Sequence, residues 1–172
     1  MNIFIRIFIV TTLALSAHTL RAQILFDRSK DGMRMVSTRS AVLTQEGKSP
    51  LVYVGYSVQI QGKKRAYFIT LGVKSTQPIA KVNEGDRLLM KIGEKEVLKF
   101  EAMPGSMFSK KGNIYYSNST YRVQPSQLEQ IARAQRVRIG MADHTLDVDV
   151  DGHAYMLASA QISALNERLS HR

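Results

Sequence analysis

"LVYVGYSVQIQGKKRAYFITLGV", Leu51 to Val73, decides the fold. Val52, Val54, Tyr56, Val58 and Ile60 alternate along its first half, and Tyr67, Ile69, Leu71 and Val73 along its second. Alternation of this kind is the period of a strand, whose side chains point to opposite faces in turn. Gly62-Lys63 joins the two runs. Glycine at the first position of a two-residue loop suits a type II′ turn, which needs positive φ there. With that turn, Ile60 faces Arg65, Val58 faces Tyr67, Tyr56 faces Ile69 and Val54 faces Leu71. The apolar faces coincide, so a long antiparallel hairpin is predicted.

The flanking segments repeat the pattern. In "GDRLLMKIGEKEVLKFEAM", Leu88, Met90 and Ile92 alternate with Arg87 and Lys91, and Leu98 and Phe100 with Lys99 and Glu101. Gly93 to Glu96 connects them as a second hairpin. "MPGSMFSKKGN" reads as a loop by its proline, glycine and lysine content. "IYYSNSTYRV" then reads as a tyrosine-rich strand, with Tyr115 and Tyr121 on one face and Tyr116 on the other. Two helices come late. "PSQLEQIARA" offers Ser126 and Glu129 as a capping box, with Leu128, Ile131 and Ala132 on one side. In the last segment Ala154, Ala158, Ile162, Leu165 and Leu169 form an amphipathic stripe. The expected class is α+β: a mainly antiparallel sheet of six to eight strands, one short helix and a C-terminal amphipathic helix.

A third hairpin is expected in "QRVRIGMADHTLDVDVDGH". Closing it with the loop Ala142 to Thr145 sets Arg138 opposite Asp149 and Arg136 opposite Asp151. A shorter turn sets Arg138 opposite Asp147 and Arg136 opposite Asp149. Either register opposes unlike charges, each pair contributing about 0.2–1 kcal/mol. Asp147, Asp149 and Asp151, with Gly152, also match the first half of a calcium loop. Such a loop needs a bidentate carboxylate at its twelfth position, and here that position is Ala158. The salt-bridged hairpin is therefore the stronger reading of the aspartates and metal the weaker. No cofactor is expected.

The N-terminus has the layout of a secretory signal peptide: Arg6, an apolar run from Ile7 to Ala17, and a polar stretch ending Leu-Arg-Ala. Cleavage is expected after Ala22. A helix over the apolar run would rise only about 16 Å, too short to span a hydrocarbon core of ~30 Å. The chain then divides into residues 1–22 as signal, 23–32 as a polar lead-in and 33–172 as a single domain. There is no cysteine, so neither a disulfide framework nor a lipid-bearing cysteine is available. The net charge is +10, and losing Arg6 and Arg21 with the signal leaves +8. Such a balance attracts polyanions. For an exported protein these are anionic envelope polymers rather than nucleic acid, and plain solubility charge is the more ordinary reading of the same balance.

No metalloprotease, phosphate-loop or dinucleotide motif is present, and Ser57 in "GYSVQ" lies in a strand and lacks the second glycine of a nucleophile elbow. Two groups are candidates for binding. Tyr115, Tyr116 and Tyr121, with Tyr53, Tyr56 and Tyr67, offer rings for a glycan or peptide. Lys63, Lys64 and Arg65 form a basic tip beside the first hairpin turn.

Two longer runs, "AYFITLGVKSTQPIAKVNEGDRLLMKIGEKEVLKFEA" and "YRVQPSQLEQIARAQRVRIG", resemble small exported proteins of Gram-negative bacteria with no established activity. The shared pattern is a hairpin, a "GD-x-LL-x-K" strand, a proline-initiated helix, an "I-R-I"-like strand and a closing helix. The resemblance covers about residues 50 to 165. It implies the same fold and a periplasmic or secreted location, and it carries no catalytic residue. The function expected is a non-catalytic binding or interaction module of the cell envelope. A hydrolase acting on envelope polymers, and a structural or inhibitory protein, are the alternatives.

Overall fold

The computed structural model describes residues 24–38, 40–42, 50–79, 81–94, 96–134, 137–141, 147–150 and 152–170. Among these residues eleven strands and two helices follow in the order β1 (Ile24–Lys30), β2 (Met33–Thr38), β3 (Ala41–Val42), β4 (Leu51–Gln61), β5 (Lys64–Ser75), β6 (Arg87–Ile92), β7 (Glu96–Glu101), β8 (Met107–Lys111), β9 (Ile114–Val123), α1 (Pro125–Arg133), β10 (Val137–Met141), β11 (Asp147–Val150) and α2 (Gly152–Ser170). All strand pairs are antiparallel. The α+β class expected from the sequence is the class observed.

The first sheet runs β1-β2-β4-β5-β9-β8, with β3 also on β4, and the second runs β11-β10-β6-β7. The β4–β5 hairpin has all four predicted pairs, from Ile60 with Arg65 to Val54 with Leu71. Gly62 has a φ of +57°, and Lys63 is not in the left-handed region, as a type II′ turn requires. Strand β9 then adds to β5, placing Tyr121 beside Ile69 and Ser119 beside Leu71. Alternation does the rest. The even-numbered residues of β4 and the odd-numbered residues of β5 and β9 point inward, where Val52, Val54, Val58, Ile69 and Leu71 are almost wholly buried.

The second sheet supplies Leu88, Met90, Leu98, Phe100, Val137 and Ile139 to the same core. The chain crosses between sheets at Ala102, which bridges Tyr121 of β9, while Met103 N–H donates to Thr120 O at 2.8 Å. Helix α2 packs on β2, β3, β4, β11 and α1, burying Ile162, Leu165 and Leu169. These are the last three residues of its predicted stripe; the side chains of Ala154 and Ala158 lie outside the described residues. Among the described residues no helix is long and apolar enough to cross a membrane.

Four differences from expectation have local causes. Ile24–Lys30, expected as a polar lead-in, is strand β1, paired with β2. Asp31 and Gly32 turn between them at φ of +51° and +75°, the two positive values of a type I′ hairpin turn. The segment expected as a loop before β9 contains strand β8, which returns through the two-residue link Gly112-Asn113. These strands, with β2 and β3, raise the count above the predicted six to eight. Finally, α1 caps two residues earlier than predicted: Pro125 takes the first helical position, where its missing N–H costs nothing. Gln124 is the cap, and its N–H donates to Gln127 Oε1 at 2.9 Å.

One long edge against β4 is broken and repaired. β2 pairs with Ser57 to Gln61 and β3 with Tyr53 and Val54. At the break, Tyr56 N–H donates to Thr38 Oγ1 at 3.0 Å, so a hydroxyl replaces a ladder carbonyl in a buried place. Strand β1 is held from the other end of the chain. Asp27 accepts two bonds of 2.8 Å from Arg34 on β2 and one of 2.7 Å from Arg168 on α2. The Arg34 guanidinium, helped by Arg168, holds the Asp27 carboxyl well below the usual carboxylate range, against a smaller opposing effect of burial.

Candidate functional site

Residues of the opposite parity build the outer face of the first sheet. Register lines up Tyr53, Gly72, Asn118 and Met107 in one row across β4, β5, β9 and β8. The next row holds Leu51, Lys74, Tyr116 and Ser109. Across these rows lies an open groove of about 950 Å³. Ser40 joins its lining from the β2–β3 link, and Lys81 and Ser106 from the segments before β6 and β8.

The floor is low because Gly72 has no side chain. A Cβ there meets Tyr53 at 3.6 Å, an ordinary contact. Glycine is therefore not forced by crowding, and a larger residue would fill the groove. Glycine in a strand interior often marks a place left open for a ligand to approach. Beside it Thr70 and Thr120 hydroxyls lie 3.3 Å apart. Tyr116, more than a third exposed, stands next to Lys74, whose Nζ is 5.9 Å from the ring centroid. Met107 is 65% exposed and Phe108 38%, the first of them the most exposed large apolar side chain described.

Two cations reach the groove, Lys74 and Lys81, and among the described residues neither forms an ion pair with a carboxylate. The described lining contains hydroxyls, one amide and two tyrosines, with no carboxylate and no imidazole. A cationic groove with aromatic walls attracts an anion and lays a flat group against a ring. Ser106 Oγ is buried there without a hydrogen-bond partner among the described residues. A second hollow, about 640 Å³, lies between β6, β7 and the end of β9; Arg87, Lys99 and Arg122 line it together with Glu101.

The structure separates the residues singled out in the sequence. Tyr116 lies in the groove. Tyr115 is half-buried beneath Lys110, whose Nζ is 4.9 Å from its ring. Tyr121 is 1% exposed and belongs to the core, where burial pushes its hydroxyl up to about 12. Tyr56 is likewise a core residue whose hydroxyl is raised by burial. A tyrosine so enclosed has no face to offer a ligand. Lys63, Lys64 and Arg65 are exposed at the β4–β5 tip. Eight strand residues separate Lys64 from Gly72, roughly 26 Å, so tip and groove are distinct. For the aspartates, the register is the first of the two considered, with Arg138 opposite Asp149. Arg136, Asp151 and the side chains of Asp147 and Asp149 lie outside the described residues, as does the weaker metal reading that depends on them. Gly72, Lys74, Lys81, Met107 and Phe108 were not singled out by sequence. The strand-interior glycine was the one signal pointing to them.

No family model, curated protein or solved structure matches this chain.

Proposed function

We propose that this protein is an exported, non-catalytic binding module whose groove takes an extended anionic ligand of the bacterial cell envelope. One observation carries the reading. The groove combines tyrosine rings, hydroxyls and two ammonium groups, and its described lining holds no carboxylate to neutralise them. Rings supply contact area at little entropic cost, and lysines supply long-range attraction. Catalysis by acid–base or nucleophilic routes draws on groups such as a carboxylate, an imidazole or an activated nucleophile, and the described lining supports it poorly.

Export is supported by the layout of residues 1–22. Mass spectrometry of the exported protein should find a chain beginning near Gln23; an intact Met1 in that fraction contradicts export by cleavage.

Binding is tested by titrating soluble polyanions, poly-glutamate and poly-galacturonate, by calorimetry. Affinity should fall as salt rises, because exposed charges are screened over about 10 Å at 0.1 M. Lys74→Gln with Lys81→Gln should weaken binding several-fold. Neutralising Lys63, Lys64 and Arg65 should change it less. The opposite ranking moves the site to the hairpin tip and overturns the proposal.

A further inference from the structure

Among the described residues, the open edge of the groove is strand β8. It ends the first sheet as described, and all five of its residues, Met107 to Lys111, are exposed. Its hydrogen-bonding can be read from the turn. Lys111 and Ile114 flank a two-residue link, so they form the first bonded pair of the β8–β9 hairpin. Antiparallel pairing alternates, and Ser109 and Met107 therefore also turn their main-chain groups toward β9. Phe108 and Lys110 turn theirs outward, away from the sheet. Lysine on an edge strand commonly wards off other strands. That role leaves unexplained why an apolar pair, Met107 and Phe108, stands exposed on the same edge beside the groove. Lys110 is also drawn back over the Tyr115 ring, which leaves the main-chain groups of that edge clear.

We propose that β8 is a docking edge for an acidic polypeptide segment, which adds to the first sheet as a further antiparallel strand. This rests on the reading of the groove as an anion-binding site and names its ligand. Charge complementarity selects the occupant. Lys110 and Lys111 on the strand and Lys74 and Lys81 in the groove make no ion pair among the described residues. Directly opposite residues in an antiparallel pair interact most. The added strand therefore carries acids opposite Lys111 and Lys110, any residue opposite Ser109, and apolar residues opposite Phe108 and Met107. Its sequence reads acid-acid-any-apolar-apolar. Main-chain bonds give such a strand its affinity, and alternate side chains give it selectivity.

The test is a short peptide, Glu-Glu-Thr-Val-Val with flanking serines, titrated against the full exported chain. Three controls separate the explanations: the same peptide N-methylated at alternate residues, the same peptide with lysine for glutamate, and poly-galacturonate. The acidic peptide should bind and the lysine peptide should not. N-methylation should weaken binding about tenfold or more, since it removes paired donors but no charge. On the protein, Lys110→Gln should weaken binding a few-fold, and Lys110→Pro about tenfold beyond that, because it also deletes an outward N–H. Thermal melts of both variants check that the fold survives, as proline is tolerated on a sheet edge. Equal binding of the methylated and unmethylated peptides overturns strand addition. Binding of poly-galacturonate without the peptide overturns it too, while leaving the groove as an anion site. Binding of neither contradicts both.

Discussion

The two edges of the first sheet are finished in opposite ways. At one edge, β1 is pinned: Asp27 holds Arg34 on the next strand and Arg168 in the last turn of α2. Asp27 and Arg34 side chains are each only 17% exposed. At the other edge, β8 exposes every residue and shows Met107 and Phe108 to solvent beside a groove. Buried or half-buried pairing spends side-chain chemistry on holding the chain ends together. An open edge with apolar and cationic side chains leaves that chemistry unused by the described fold. The contrast separates residues that maintain the fold from those proposed to bind.

The largest effect should come from the helix that pins the first edge. Leu165 is fully buried in α2, so Leu165→Ala should cost about 2–5 kcal/mol by urea denaturation. Hydrogen exchange in β2 and β4 should rise with it. A loss no larger than that of a surface substitution means that α2 does not cover the core.

Asp27→Asn comes next. It weakens a bidentate, part-buried pair and a second, more exposed one, and should cost about 1–2 kcal/mol. The effect should depend on pH. The folded carboxyl is held below its ordinary value of 3.8. Its stabilisation is therefore fully present above that value and is lost as pH falls through the folded value. Wild type and Asp27→Asn should differ by a constant amount from neutrality to about pH 5 and converge in more acid solution. A difference that grows in acid contradicts the pin.

On the open side the sign reverses: stability holds while binding suffers. Gly72→Val should leave stability within about 1 kcal/mol, as a strand interior favours a branched residue and the new Cβ meets Tyr53 without a clash. It should abolish polyanion binding by filling the groove. The smallest effect on the fold belongs to Met107→Ala, within about 0.5 kcal/mol for so exposed a residue.

Alternation made the core face legible from sequence. Val52 to Ile60 and Tyr67 to Val73 could pair usefully in one register, and the structure has that register. The same rule hid the outer face. Parity says which residues point outward, but not that Tyr53, Gly72, Asn118 and Met107 share a row, since that depends on β8 being a strand. Met107 to Lys111 carries neither alternation nor a buried residue, because an edge strand with both faces wet needs neither. Strand β1 was missed for a related reason: Asp27, Arg28 and Lys30 make it look like solvated chain. The Asp31-Gly32 turn signal was nonetheless present. Tyr121 misled in the other direction, since a tyrosine buried in the core reads the same as one at a surface.

The most direct test of the open side as the proposed binding surface is an amide-resolved NMR titration of the protein with poly-glutamate. Shifts should concentrate at Gly72, Lys74, Tyr116 and Met107 to Lys111, with Asp27, Arg34 and Arg168 unmoved. Shifts centred instead on Lys63, Lys64 and Arg65, or spread evenly over all surface lysines, would contradict the account.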